Sequence, residues 1–145
     1  MQPTIRVMEQ KDKESVLEMM REFYASPAVF SNGSEEIFEA DFNNCIGDCP
    51  YVFGYVFKDN ETILGYAMIA KSYSTEFGKS CIWIEDLFIK ADYRGMGIGG
   101  RFLDYIQQTY PDAIFRLEVE EENKPAVSLY KKCGFDTLPY MEMKK

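Results

Sequence analysis

The sequence predicts a single α/β domain with a mixed, mostly antiparallel sheet flanked by helices. Its 145 residues suit one compact domain, and 46% hydrophobic residues are enough for a core. In the middle of the chain, stretches rich in β-forming residues are joined by short turns, which indicates an antiparallel meander. Strand and helix patterns then alternate, which is typical of crossover connections. We therefore expect one domain over residues 1–145.

The predicted elements follow the order β-α-α-β-β-β-α-β-α-β. The strands are expected at residues 4–8, 51–57, 62–74, 81–90, 113–120 and 135–143. The helices are expected at residues 12–25, 35–46, 99–110 and 123–133. Helix-breaking residues support these bounds, since Pro27 and Pro111 follow helices and Gly134 is typical of a residue that ends one.

The chain is acidic, with 24 Asp and Glu residues against 16 Lys and Arg residues and a net charge of −8. Such a charge repels nucleic-acid phosphates and attracts cationic substrates such as amines, although solubility alone also accounts for it. No apolar run is as long as a membrane span, and the N-terminus lacks the pattern of a signal peptide. We expect a cytoplasmic protein that binds neither nucleic acid nor a membrane.

The lack of histidine restricts the chemistry. Neither a Ser-His nor a Cys-His dyad can form, so acid–base steps must use carboxylates, tyrosine, lysine, cysteine or water. Cys45 and Cys49 are one helical turn apart, but Cys81 and Cys133 lie in predicted core elements. A four-ligand metal site is therefore not expected.

A glycine-rich turn lies between the 81–90 strand and the 99–110 helix. Gly95, Gly97 and Gly100 satisfy the spacing of a dinucleotide-binding loop. That assignment fails, because such a loop follows the first strand of a parallel fold and this one follows an antiparallel meander. An ATP-binding P-loop fails as well, because Arg101 and Phe102 stand where Lys and Ser or Thr are needed.

The remaining interpretation of this turn is a diphosphate site without a magnesium ligand. Glycines let backbone N–H groups approach a phosphate, and the N-terminus of a helix adds partial positive charge. Arg94 adds a full positive charge beside the turn. A tight turn without a ligand is the simpler alternative, and the cluster of four glycines between Arg94 and Arg101 disfavours it.

Two segments resemble motifs of the GNAT superfamily of N-acetyltransferases. Residues 85–99 are similar to its central motif, whose [Q/R]-x-x-G-x-[G/A] core is met by Arg94, Gly97 and Gly99. Residues 123–135 are similar to its second motif, with an Asn at the helix start, a Leu-Tyr pair and a Gly-Phe exit. The acidic and aromatic run into Asp-Tyr-Arg-Gly also looks like spermidine/spermine N-acetyltransferases. The resemblance spans the whole chain and implies a GNAT-like fold, acetyl-CoA as the acetyl donor, and a superfamily in which homodimers are common.

The resemblance also implies how acetyl-CoA is held. The backbone of the strand before the turn would pair with the pantetheine arm, and an N–H there would polarise the thioester carbonyl. The turn would bind the pyrophosphate, and the last helix would add further contacts. The expected set is Leu87, Phe88, Ile89, Arg94, Gly95, Met96, Gly97, Ile98, Gly99, Gly100, Asn123, Ala126 and Tyr130. Core packing of the strand residues and helix capping by Asn123 are the plainer explanations of these residues.

Glu85 is the expected base or amine anchor. It interrupts an otherwise apolar strand, and an alkyl ammonium, with a pKa of about 10.4, must lose a proton before it attacks. Partial burial would raise the pKa of this carboxylate towards a useful value. Asp86 competes for the role, because adjacent strand residues face opposite ways unless a bulge intervenes. Water carrying the proton, with Glu85 only binding the ammonium, is the other alternative.

The resemblance implies that Tyr130 is the general acid that neutralises the departing CoA thiolate. A phenol can donate a hydrogen bond or a proton to sulfur. A tyrosine simply packed between helix and sheet is the alternative. Because the cysteines of the core have no predicted base beside them, we expect direct attack by the amine rather than an acetyl-cysteine route.

The expected acceptor is a small-molecule amine. By resemblance, its pocket lies opposite the cofactor, between the first two helices, the turn at 74–80 and the C-terminal strands. The candidate residues for binding it are Glu22, Tyr24, Glu85 and Asp86. The second hypothesis is a protein or peptide N-terminal acetyltransferase, and a loop at 26–34 folded over the cleft would favour small acceptors instead. A non-catalytic acetyl-CoA-binding module is the third hypothesis, and Glu85 and Tyr130 argue against it.

Overall fold

The computed structural model describes residues 2–145, which form a five-stranded sheet in the order β1-β2-β3-β4-β5. The first three pairings are antiparallel, and β4 and β5 are parallel. The strands are β1 (Thr4–Val7), β2 (Val52–Asp59), β3 (Thr62–Ser74), β4 (Lys79–Ile89) and β5 (Ile114–Leu117). The helices are α1 (Lys13–Tyr24), α2 (Glu35–Ile46), α3 (Ile98–Thr109) and α4 (Lys124–Lys132), with short 3-10 helices at Gln10–Asp12 and Ala91–Tyr93. Among residues 2–145, no helix has the length and apolar composition required to cross a membrane.

Two apolar cores lie on the two faces of the sheet. On one face, Met20 of α1 and Phe42 of α2 pack with Val56. On the other face, Phe102 of α3 packs with Phe57, and residues of α4 join this second core. Val56 and Phe57 are adjacent on β2 and both fully buried, as expected for a strand covered on both sides. The fold therefore has three layers, with α1 and α2 on one side and α3 and α4 on the other.

The starts of two helices follow from their capping residues. Ser34 accepts a hydrogen bond from the backbone N–H of Ile37 at 3.2 Å, which satisfies a free donor at the start of α2. Before α3, Gly97 has a φ of +82°, a left-handed conformation that favours glycine. The chain therefore turns from β4 into α3 within residues 90–97.

A bulge at Glu85 changes the faces to which β4 presents its side chains. Met68 of β3 pairs with Asp86, and the next residue, Ile69, pairs with Ile84, so that Glu85 has no partner. Before the bulge, Ile84 packs in the core beneath α3. After the bulge, Asp86 is hydrogen-bonded to tyrosines of the core beneath α1 and α2. A regular strand would have placed Ile84 and Asp86 on the same face.

Strand β5 covers only the first part of the outer edge of β4. Its residues Ile114–Leu117 pair with residues 81–84. Within the part of the chain that the structure describes, residues 85–89 of β4 have no strand on this side. Apart from the backbone oxygen of Ile89, which accepts from Arg94, outward backbone N–H and C=O groups of this stretch can therefore bind another extended group.

The strand expected at residues 135–143 is wrong, because this stretch is not part of the sheet. Strand β5 ends at Leu117 and offers an edge of only four residues, and Pro139 has no N–H to donate to a ladder. Tyr140 and Met141 remain exposed. The observed order is β-α-α-β-β-β-α-β-α, and the mixed, mostly antiparallel sheet flanked by helices is confirmed.

Candidate active site

The glycine turn brings free backbone donors to the start of α3. Gly95 and Gly97 have φ values of +78° and +82°, and open space surrounds the position that a Cβ would take at either residue. The first turn of α3 contains no acidic residue. The N–H groups at the start of a helix have no partner within that helix and carry partial positive charge. This combination suits a diphosphate.

The two arginines beside the turn have different environments. Arg94 donates from Nε to the backbone oxygen of Ile89 at 2.7 Å, and its guanidinium lies 5.3 Å from the ring centroid of Phe88. It is exposed, so part of its guanidinium can still meet a ligand. Arg101 instead donates to the side chain of Gln2 and the backbone oxygen of Pro3. Only Arg94 therefore joins the turn to the end of β4.

Gly99 lets α4 approach the start of α3. A Cβ at this position would lie 3.2 Å from Cδ2 of Leu129 and 3.9 Å from Cδ2 of Leu87. The spacing is tighter than ordinary van der Waals contact, so a larger residue would push α4 away. Gly99 therefore brings α4, which carries Tyr130, close to the open part of β4.

Asn123 caps α4, as the sequence suggested. Its Oδ1 accepts a hydrogen bond from the backbone N–H of Ala126 at 3.4 Å. Capping accounts for the presence of Asn123 in this motif. Cofactor contacts by Asn123 and Ala126 remain predictions.

Tyr130 lies on the inner side of α4, half-buried against Phe135, with ring centroids 5.9 Å apart. Burial raises the pKa of its phenol to about 12, with a smaller contribution from Cys133. The phenol is therefore protonated at neutral pH and can act as a donor. It also lines a groove of about 550 Å³ between β5, α4 and the C-terminal segment.

Glu85 is exposed at the bulge, where β4 loses its partner strand. Partial desolvation raises the pKa of its carboxyl, and the negative charges of Asp41 on α2 and Glu142 in the C-terminal segment raise it further. A bulge residue has no cross-strand neighbour to hold its side chain in the sheet. Glu85 is therefore accessible to a substrate and surrounded by like charge.

Asp86 has the opposite environment, with 3% of its surface exposed. Its Oδ1 accepts a hydrogen bond from the phenol of Tyr24 at 2.9 Å, and its Oδ2 accepts one from Tyr66 at 2.7 Å. Burial raises the pKa of Asp86 to about 6, the two phenols oppose this rise, and Asp41 and Glu85 add to it. Because Asp86 is buried and each of its oxygens already accepts from a phenol, it is less accessible to an acceptor than Glu85.

The two candidates on α1 are separated by the geometry of the helix. Tyr24, the last residue of α1, points inward to Asp86, and burial raises the pKa of its phenol. Glu22 is exposed, because residues two apart on a helix face different directions. The structure therefore brings Tyr24, Glu85 and Asp86 together and leaves Glu22 outside this group.

Sequence reasoning missed two residues of this region, Tyr66 and Asp41. Tyr66 lies within a strand whose neighbours are almost all apolar, and a buried tyrosine requires a partner for its hydroxyl. The sequence therefore did indicate that Tyr66 needs a polar partner in the core. Asp41 is half-buried on α2, and burial raises the pKa of its carboxyl. Its position on a mixed polar and apolar helix gave no comparable signal.

Comparison with known proteins identifies the family of this chain. Residues 15–135 match the model of the Acetyltransferase (GNAT) family. The chain belongs to this family. As a GNAT protein it is an acetyl-CoA-dependent N-acetyltransferase, so the resemblance, the enzyme class and the acetyl donor predicted from the two motifs are confirmed.

A thialysine N-epsilon-acetyltransferase from Sus scrofa is 32% identical over 143 residues, which cover 90% of this chain and 82% of the relative. A possible acetyltransferase from Clostridium difficile 630 has the same fold, with a TM-score of 0.83 at 16% identity over 99% of this chain and 96% of that one. A predicted acetyltransferase from Clostridium acetobutylicum, solved with acetyl-CoA, has a TM-score of 0.76 at 20% identity over 99% and 96%.

The chain has the features needed to hold acetyl-CoA. The open edge at residues 85–89 offers extended backbone, and the turn at residues 94–97 leads into free N–H groups at the start of α3. Open space around Gly95 and Gly97 leaves room for a ligand at that turn. An extended amide arm and a diphosphate match these two features, in that order along the chain.

Proposed function

We propose that this enzyme transfers the acetyl group of acetyl-CoA to a primary amine of a small cationic acceptor. The observation that carries the proposal is the placement of Glu85. It is an exposed carboxylate on the bulge where β4 becomes free to bind the acetyl donor, and Asp41 and Glu142 add negative charge around it. Such a field attracts an ammonium group to the place where the acetyl group would be presented.

Acetyl-CoA supplies an activated acetyl thioester, and the chain's own residues position it. Residues 87–89 would pair with the pantetheine arm, and one of their N–H groups would polarise the thioester carbonyl. The turn from Arg94 to Gly100 would hold the diphosphate. Asn123 and Ala126 at the start of α4 would add contacts to the cofactor.

Glu85 would receive the acceptor amine. As an ionised carboxylate it can hold an ammonium, and as a base with a raised pKa it can take the proton that the amine must lose. A water molecule bridging Glu85 and the amine would serve the same purpose. Both versions require Glu85 to be ionised when the acceptor binds.

Tyr130 would donate a proton to the departing CoA thiolate. Its raised pKa keeps the phenol protonated at neutral pH, and the contact between Gly99 and Leu129 holds α4 close to the turn. Burial raises the pKa of Cys81 and of Cys133, so neither thiol is a ready nucleophile. The raised pKa values of these thiols therefore favour direct attack by the amine over an acetyl-cysteine route.

The relative from Sus scrofa is named for acetylating the N-epsilon amine of thialysine. That name supports a small acceptor with a primary amine rather than a protein N-terminus. The loop between α1 and α2 is attached to Tyr24, which contacts the residue next to Glu85. A loop in this position would narrow the cleft, and a narrow cleft favours small acceptors.

A panel of amines with acetyl-CoA tests the proposal, with release of the CoA thiol as the readout. It should contain thialysine, lysine, a diamine, a polyamine and a short peptide with a free N-terminus. We expect thiol release with at least one small cationic amine and little with the peptide. Tight binding of acetyl-CoA without thiol release on any amine would refute the proposed activity.

A further inference from the structure

A buried polar cluster lies immediately after the candidate base. It consists of Tyr24 at the end of α1, Tyr66 in the middle of β3 and Asp86 on β4. The two phenols donate to different carboxylate oxygens, at 2.9 and 2.7 Å. Asp86 is 3% exposed and Tyr66 is fully buried. The three groups therefore form a fixed unit that joins three elements.

Placing this cluster in the core costs free energy. A buried carboxylate without a cationic partner loses hydration that two neutral donors only partly replace. Within residues 2–145, Asp86 forms no salt bridge. The surrounding core is apolar and aromatic, with Phe23 in edge-to-face contact with both tyrosines. Retention of a charge in such a place points to a role other than stability.

The location of the cluster indicates that role. Asp86 is the first residue after the bulge, and Glu85 has no cross-strand partner of its own. The backbone at Glu85 is therefore held on one side by the anchored side chain of Asp86. Rotation or shift of Asp86 would change the direction of the Glu85 carboxylate directly, because the two residues share a peptide bond.

We propose that Tyr24, Tyr66 and Asp86 form a positioning unit that fixes the direction of the Glu85 carboxylate towards the acceptor amine. The proposal rests on the proposed function. Tyr66 and Tyr24 act through Asp86 and do not contact a substrate. Tyr24 also connects this unit to the loop between α1 and α2, so the end of α1 and the bulge of β4 are held in one arrangement.

The electrostatic surroundings define what each phenol does. The titratable groups around Asp86 are Tyr24 from α1, Asp41 and Cys45 from α2, Tyr66 from β3 and Glu85 from β4. Burial and the two acidic neighbours raise the pKa of Asp86 to about 6, and the hydrogen bonds from the phenols lower it. Removal of either hydroxyl must therefore raise the pKa of Asp86 further.

Tyr66→Phe and Tyr24→Phe test the unit, because each removes one hydroxyl and keeps the ring. We expect each to lower kcat about tenfold, the loss expected for one hydrogen bond to a charged group. The KM for acetyl-CoA should not change. Tyr55→Phe is the matched control, because Tyr55 is buried on β2 in the opposite core. It should leave kcat unchanged.

A carbon-13 NMR titration of the Asp86 carboxyl in the free protein gives a second readout that does not depend on activity. In the wild type the titration should be centred near pH 6, and it should move to higher pH in both tyrosine variants. If Tyr66→Phe fails to fold, Tyr24→Phe at the end of α1 carries the same test.

Wild-type kcat in both variants, in an enzyme that acetylates an amine, would overturn the positioning unit. A titration of Asp86 that neither variant moves would overturn it as well. The failure of the proposed function looks different, since the wild type itself would then release no thiol. In that case the NMR titration alone decides whether the two phenols control Asp86.

Discussion

At the scale of single residues, two adjacent carboxylates on β4 have different environments. Glu85 is exposed at a bulge, and Asp86 is buried and bonded to Tyr24 and Tyr66. The pKa of each carboxyl is raised, with desolvation as the largest cause in both. Because Glu85 is the exposed one of the two, we propose that it contacts the amine and that Asp86 has a supporting role.

Glu85→Gln should lower kcat/KM on the order of 10²-fold, because the amide can neither take a proton nor hold an ammonium as an anion. In the wild type, activity should rise with pH as Glu85 ionises, at a higher pH than for an ordinary Glu. The variant should lose this part of the pH–rate profile. A fall in kcat alone would assign Glu85 as base, and a rise in the KM for the amine alone would assign it as anchor.

Glu18→Gln is the matched control for that experiment, since Glu18 is exposed on α1. It should behave as the wild type. A Glu85→Gln enzyme with an unchanged pH–rate profile would remove Glu85 from the reaction.

Tyr130→Phe should lower kcat on the order of 10²-fold and leave the affinity for acetyl-CoA nearly unchanged, because only the proton donor is lost. Steady-state kinetics and calorimetric binding of CoA measure the two effects separately. Tyr105→Phe on α3 is a suitable control for loss of a phenol on the same side of the sheet. Equal turnover by wild type and Tyr130→Phe would show that another group protonates the thiolate.

At the scale of elements, the turn from β4 into α3 joins a strand that has lost its partner to a helix. Two glycines in the left-handed conformation, Gly95 and Gly97, precede this helix. Gly97 has a φ of +82° and leads directly into Ile98, the first residue of α3. Open space surrounds the position that a Cβ would take at Gly97, beside the unpaired N–H groups at the start of α3. We propose that the strand edge and the helix start together bind the extended, anionic acetyl donor.

Gly97→Ala should raise the KM for acetyl-CoA, because a side chain in the left-handed region costs about 1–2 kcal/mol and drives the turn out of its shape. Gly78→Ala is the matched control, since Gly78 has a φ of +65° in the turn between β3 and β4. Urea unfolding should show a similar loss of stability in both variants, and only Gly97→Ala should weaken the binding of acetyl-CoA. An equal KM in both variants would place the diphosphate elsewhere.

At the scale of the whole molecule, a sheet covered on both faces carries a buried charge near the centre of one core. The folded state holds the proton of Asp86 more tightly than the unfolded state, because its pKa is raised from 3.8 to about 6. Stability from this group is therefore fully present below the unfolded pKa and is lost as pH rises through the folded pKa. Asp12 has the opposite effect on stability, because its pKa is lowered in the folded state. Its contribution is present above the unfolded pKa and is lost as pH falls. Burial raises its pKa, but the hydrogen bonds from Arg6 and the backbone of Glu9 outweigh burial and lower it overall.

The wild-type free energy of unfolding should therefore fall by about 2–3 kcal/mol between pH 4 and pH 7, apart from other groups. Asp86→Asn should remove most of this fall, because the amide does not titrate. Urea unfolding at several pH values checks both expectations. An Asp86→Asn protein with the same pH dependence as the wild type would show that the buried carboxyl does not titrate in this window.

The fold, the glycine turn and the Asn123 cap were largely predictable because their signals are local. Gly95, Gly97 and Asn123 act through backbone conformation and capping, which depend on a few neighbouring residues. The strand expected at residues 135–143 failed because its formation depends on the length of another strand, β5. The sequence of one segment alone does not show whether it pairs with a distant segment.

The arrangement of the acceptor side was less predictable for a related reason. The alternation of a regular strand places Glu85 and Asp86 on opposite faces, but it does not show that a bulge moves Asp86 beneath α1. The partnership of Asp86 with Tyr66 depends on the register between β3 and β4. The sequence therefore predicted that the two carboxylates face opposite ways, but not the bulge or the hydrogen bonds that hold Asp86.

The most direct test of the account is a competition experiment with mass spectrometry of the products. Purified enzyme receives acetyl-CoA, a small cationic amine that is active alone, and an equal concentration of a short peptide with a free N-terminus. We predict that the acetyl group appears on a primary amine of the small acceptor in the wild type and is nearly absent with Glu85→Gln. Acetylation of the peptide in preference to the small amine, or equal product from both enzymes, would contradict a cleft built around Glu85 for small cationic acceptors.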